Sequence, residues 1–105
     1  MPNIAPFIRV KYWGLRPSPE LERAIADASE SLGPHRATIE SCELHVGRWV
    51  QHHDQGYSYR LSLNIEHRGS MLSLEDETDL NASVEARDQM LRKAFARAAS
   101  RLASK

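Results

Sequence analysis

Residues 75–102, EDETDLNASVEARDQMLRKAFARAASRL, decide the fold. With Val84 set at zero and about 100° added per residue, Leu80, Leu91, Phe95, Ala98 and Leu102 fall within about 40° of it. That spread is one buried helix face, and a helix buried on one face needs a sheet to cover. Lys93, Arg97 and Arg101 recur at i, i+4 and i+8 on a different side, so their cations share one exposed ridge. Such a ridge can grip phosphate. It also suits the helix dipole, because acids open the segment and cations close it, so a purely structural role accounts for it equally.

Upstream, Phe7, Ile8, Val10 and Tyr12 alternate with Arg9 and Lys11, which predicts a first strand at Ile8 to Tyr12 with its two cations turned outward. Ser18 then reads as an N-cap with Pro19 at the first helical position. Leu21, Ala24, Ile25, Ala28 and Leu32 supply an apolar stripe, and Gly33-Pro34 is expected to end that helix. From Ile39 to Val46 the set Glu40, Cys42, Leu44, Val46 alternates with Ile39, Ser41, Glu43, His45, a half-exposed strand. Gly47 to Gly56 reads as a loop between two strands. Tyr57, Tyr59, Leu61, Leu63 and Ile65 alternate with polar residues in the clearest strand of the chain. Arg68-Gly69 turns into a short strand at Ser70 to Leu74. Two helices on one side of the sheet bury both stripes and leave the other side polar.

The 105 residues suit one domain, 1–105, with a modest core. Fourteen cations balance fourteen acids, so bulk charge announces no nucleic-acid partner and any RNA site has to be a local patch. The charges are sorted, however. Arg9, Lys11 and Arg16 open the chain without an acid, while Glu20, Glu22, Asp27 and Glu30 outnumber Arg23 in the first helix. Residues 33–79 are acidic, and residues 80–105 are basic. Basic ends brought together by the fold are expected to make one positive surface on an acidic body. The lone Cys42 alternates with Leu44 and Val46 and reads as a buried, inert thiol, which fits a reducing compartment. No segment has the run of apolar residues needed to cross a bilayer, so a cytoplasmic protein with no membrane partner is expected.

The entry to the last helix carries a family resemblance. Asp79, Ala82, Ser83, Val84, Glu85, Leu91 and Phe95 follow the D-x-x-A-A-I-D-x5-L-x3-L pattern of short ribosome hibernation factors, with Ser83, Glu85 and Phe95 as conservative departures. The chain resembles the family of hibernation-promoting factor and protein Y (sigma-54 modulation protein, S30EA-like) over nearly its whole length. The resemblance implies an α+β fold of order β-α-β-β-β-α, two helices on one face of a four-stranded sheet, with dsRBD-like topology. It also implies docking on the small ribosomal subunit and its 16S rRNA at the decoding region, blocking transfer RNA and messenger RNA sterically. The family places basic side chains on both helices, whereas the first helix here is acidic. The long C-terminal extension and separate dimerisation domain of longer members have no counterpart in these residues.

The residues nominated for RNA are Arg9, Lys11 and Arg16 near the first strand with Lys93, Arg97 and Arg101 on the last helix, because phosphates need several converging cations. Folded RNA is recognised largely by shape and backbone, so no base-reading motif is required, and no DNA partner is expected. His52-His53-Asp54, with His45 and His67, invites a metal reading. Adjacent histidines on a strand point opposite ways, though, and they read as ordinary polar loop residues. No metal or other cofactor is expected. Trp13 and Trp49 either cover core edges or stack on an unpaired base. Without a nucleophile elbow, a triad order or a glycine-rich phosphate loop, the chain reads as a non-enzyme that acts by occupying space. The competing reading is a protein-binding module that meets its partner through the acidic first helix or the exposed sheet face.

Overall fold

The computed structural model describes residues 7–52 and 56–104. The element order is β1 (Ile8–Trp13), α1 (Pro19–Ser29), a 3-10 helix (Glu30–Thr38), β2 (Ile39–His52), β3 (Gly56–His67), β4 (Ser70–Glu77) and α2 (Val84–Ala103). The sheet order is β1-β2-β3-β4. β1 runs parallel to β2, as a strand returning through a helical crossover must when it pairs this way, and the other two pairings are antiparallel. The α+β class and β-α-β-β-β-α order are those expected. Among the described residues no helix is long and apolar enough to cross a membrane.

Strand parity sorts the sheet into two faces. Ile8, Cys42, Leu44, Val46, Leu61, Leu63, Ile65, Leu72 and Leu74 point to the side covered by α1 and α2, where Leu21, Ile25, Leu32, Leu91, Phe95, Ala98 and Leu102 meet them. Each Leu, Ile, Val or Phe among them removed from water stabilises the fold by about 1.5–3 kcal/mol. Ser18 caps α1 by accepting from the Leu21 amide at 3.1 Å, and Ser83 caps α2 by accepting from the Ala86 amide at 3.1 Å. Burial pushes the Cys42 thiol up to about 12, so it is the inert core group its alternation indicated.

Several boundaries differ from the sequence reading, each for a local reason. Val84 and Leu80 are half exposed, because Leu80 precedes α2 and the buried seam of the helix starts only at Arg87, running through Met90, Leu91, Ala94, Phe95, Ala98 and Leu102. The first helix tightens at Glu30 into a 3-10 helix that continues past Gly33-Pro34 to Thr38, with Leu32 still buried. An irregularity in the β2 register between Ile39 and Ser41 reverses parity there, putting Ile39 in the core and Glu40 outside. β4 extends through Glu77 rather than ending at Leu74. The Gly47–Gly56 segment is mostly strand, since β2 continues to His52 opposite β3. His53 and Asp54 lie outside the described residues, as does the side chain of His52, so the metal reading of that trio falls outside them. Among the described residues no cluster of His, Cys, Asp and Glu has metal-binding geometry.

Candidate nucleic-acid interface

The six nominated cations do not converge. Arg9 and Lys11 are exposed and alternate with Ile8, Val10 and Tyr12, so they stand on the sheet face turned away from the helices. Lys93, Arg97 and Arg101 are exposed on α2, in the layer that covers the other face. Arg16 lies in the exposed segment between β1 and α1. The expected single cationic strip is therefore two separate cationic surfaces, with the sheet between them.

Helical phase assigns the ridge to one flank of α2. Lys93 lines a groove with Ala86, Gln89 and Met90 against the end of β4 and the segment that leaves it, including Asp76 and Asp79. Arg97 and Arg101 follow Lys93 along the helix at four-residue steps, and α1 packs beside α2. Carboxylates thus stand beside the Lys93 end of the ridge, and the Arg97 and Arg101 end is the more open to phosphate. Arg92 is a further exposed cation on this helix. Arg87 is different: 5% exposed, it reaches Asp88 at 3.1 Å and lies 5.6 Å from the centre of the Tyr59 ring, so it anchors α2 rather than meeting solvent.

The open sheet face holds a second constellation. Its residues form rows across the four strands: Arg9, Glu43, Asn64, Ser73; then Lys11, His45, Ser62, Glu75; then Trp13, Gly47, Arg60, Glu77. Glu43 hydrogen-bonds His45, and that bond, together with Lys11 and Arg9, holds its carboxyl below the usual carboxylate range. A Cβ placed on Gly47 would meet ring atoms Cδ2 and Cε2 of Trp13, the latter at 2.5 Å. Those are the ring-fusion atoms, and only an indole lying face down on Gly47 brings them so close. Trp49 meets Trp13 at a centroid distance of 5.5 Å and an interplanar angle of 85°. It is held there by a chain of contacts: Arg60 lies 4.5 Å over its ring, Arg60 Nε stands 3.1 Å from Glu77 Oε2, and Ser58 donates to the same oxygen at 2.7 Å. Trp13 is thus a floor and Trp49 a wall, around a pocket of about 550 Å³ that Glu75, Ser62 and His45 also line. The sequence showed the two indoles but not their meeting. The signal that could have found it is Gly47, a residue whose missing side chain in mid-strand marks close approach by another group.

Tested against known proteins, the sequence matches no family model and no curated protein. Among solved structures, a ribosomal subunit interface protein from Coxiella burnetii superposes with a TM-score of 0.66 at 16% identity, covering 93% of this chain and 98% of that one. An uncharacterized protein aligns over 96% of this chain and 81% of its own with a TM-score of 0.34 and 11% identity, too distant to carry an argument. The fold found is the one that the resemblance at the entry to α2 implied: this chain folds, over nearly its full described length, as the ribosomal subunit interface protein does.

Proposed function

We propose that this chain is a ribosome-associated translation inhibitor of the hibernation type, which occupies the decoding region of the small subunit and blocks transfer RNA and messenger RNA sterically. The observation that carries this reading is the pairing of that fold with an exposed cationic flank on α2, from Lys93 to Arg101. The flank supplies the phosphate contacts, strongest at Arg97 and Arg101, and the bulk of the domain supplies the obstruction. No chemistry is required of the protein. Arg9 and Lys11 stand on the opposite sheet face and join the same contact only with RNA that wraps the β1 edge, and Arg16 stands in the segment that follows β1.

Co-sedimentation with purified 30S particles across a salt series tests it. Neutralising three phosphates predicts a slope of log affinity against log salt of about −2 to −3, whereas engagement of all six nominated cations predicts about −4 to −5. Reversing Lys93, Arg97 and Arg101 to Glu together is expected to abolish binding at low salt, and binding that survives this change refutes the assignment. The protein-binding alternative draws its support from α1, whose Glu20 and Asp27 are exposed and whose Glu22 is half-exposed. Recovery of one discrete protein after nuclease treatment, with no ribosome in the fraction, would favour it.

A further inference from the structure

We infer that the open sheet face is a second RNA site, built to take one unpaired guanine on the Trp13 floor against the Trp49 wall. Trp13 lies with one ring face on Gly47 and also lines the pocket, the side from which a base would stack on it. Glu75 stands at the β4 side of the same pocket, where Asp76 and Glu77 also line it, and unlike that of Glu77 its side chain makes no hydrogen bond or ion pair among the described residues. A carboxylate beside an aromatic floor accepts two donors in one plane, and guanine offers them on its Watson–Crick edge, N1–H and the N2 amino group. Uracil presents carbonyl oxygens on either side of one donor and fits a carboxylate poorly.

The row that holds Glu75 ends at Lys11 on β1, three strand spacings or about 14 Å away. A nucleotide laid along that row has its base edge at the acid and its phosphate towards Lys11, with Arg9 one row further on. Ser62 and His45 lie between. The strand cations, which face away from the α2 ridge, acquire a partner in this way.

The alternative occupant of an aromatic and acidic pocket is a cationic side chain from a protein. The layout of charge across the whole face separates the two. Arg60 stacks on Trp49 and pairs with Glu77, Glu75 and Asp76 also line the pocket at its β4 end, and Lys11 and Arg9 stand at the β1 end of the face. A nucleotide matches both ends, its neutral ring at the acids and its phosphate at the strand cations, whereas a single cationic side chain matches only the first.

The chain has two tryptophans, both in this pocket, so indole fluorescence, excited apart from the tyrosines, reports on the site alone. The full chain is titrated with the RNA heptamers UUUGUUU and UUUUUUU. Saturable quenching with about tenfold or greater preference for the guanine heptamer is expected. Glu75→Gln should reduce that preference to near unity. Trp13→Ala should weaken the guanine heptamer about tenfold or more when followed by anisotropy of end-labelled RNA, with Trp13→Phe restoring part of the loss and circular dichroism confirming the fold. Equal affinity for the two heptamers, or no saturable quenching, overturns the site. Tighter saturation by an arginine-rich or methyl-lysine peptide than by RNA overturns it in favour of a protein partner. The inference rests on the proposed function only in taking RNA as the partner, and its assay contains no ribosome. Lost guanine preference with intact co-sedimentation sinks this site alone, and lost co-sedimentation with intact guanine preference sinks the other alone.

Discussion

Gly47→Ala isolates the packing on which the sheet-face pocket depends. The added methyl would stand 2.5 Å from both Trp13 Cε2 and the Trp13 carbonyl oxygen, and the second of these is backbone paired into β1 and cannot swing aside. Overpacking of this kind costs about 1–3 kcal/mol. If the indole lifts, its edge contact with Trp49 goes too, about 0.5–1.5 kcal/mol more. Restricting the unfolded chain returns about 0.4–1 kcal/mol. The balance is a destabilisation of about 2 kcal/mol, bounded by about 0.5 and 4, or roughly 10 °C in Tm for a domain of this size. Gly33→Ala is the matched control, because nothing lies within 4 Å of its Cβ position, and it should be neutral or slightly stabilising. Urea unfolding followed by far-UV circular dichroism measures both, and near-UV signals follow the indole pair. If Gly47→Ala unfolds at the same midpoint as Gly33→Ala with its near-UV spectrum unchanged, Trp13 does not lie on Gly47 and the pocket has no floor.

Two further outcomes follow from the core. Phe95 is fully buried at the centre of the α2 seam, so Phe95→Ala should cost about 3–5 kcal/mol, a large share of the 5–15 or so that a domain commands, while Arg97→Ala on the same helix should stay within about 0.5 in the same urea titration. Cys42 should resist Ellman's reagent at pH 8 until the chain is unfolded. Its thiol is pushed from 9.0 up to about 12, so the unfolded state loses its proton first as pH rises; stability should hold below pH 9 and fall from 9 to about 12. Tyr12 and Tyr59, whose phenols burial also pushes up, steepen that fall above pH 10. A flat stability curve over this range, or ready labelling of the native thiol, would contradict the burial of Cys42.

Elements with an unbroken period were legible in the sequence. β3 alternates without interruption, and Ser18-Pro19 is a helix start in which cap and first residue agree, which is why both stand where their residues put them. Misplaced boundaries came from contacts the local sequence does not contain. Gly47 followed by a polar cluster has the chemistry of a turn, and it becomes strand because β2 goes on pairing with β3 as far as His52, with an indole from β1 in the space a side chain at Gly47 would take. Val84 shares the phase of Phe95, but phase says nothing about where the sheet underneath stops. The division of the cations was within reach of the sequence. Parity turned Arg9 and Lys11 away from the core, and the helices had to lie on the core side, so the strand cations and the α2 ridge already belonged to opposite layers.

A neutral total conceals how strongly this molecule is polarised. Within the helix layer a basic α2 lies beside an acidic α1, and packed helices sit about 8–10 Å apart. That separation is close to one Debye length in physiological salt, about 8 Å, so a phosphate held on the far flank of α2 feels the α1 carboxylates only weakly. A phosphate approaching from the α1 side meets Glu20 and Asp27 directly. The acidic helix therefore need not oppose docking. It penalises one orientation and leaves the other, as like charges placed against a wrong approach do. On that argument the carboxylates that weaken RNA binding most are not those of α1 but Asp76 and Asp79, which share the groove with Lys93. Their removal should strengthen the ridge where removal of the α1 acids would only blur its direction.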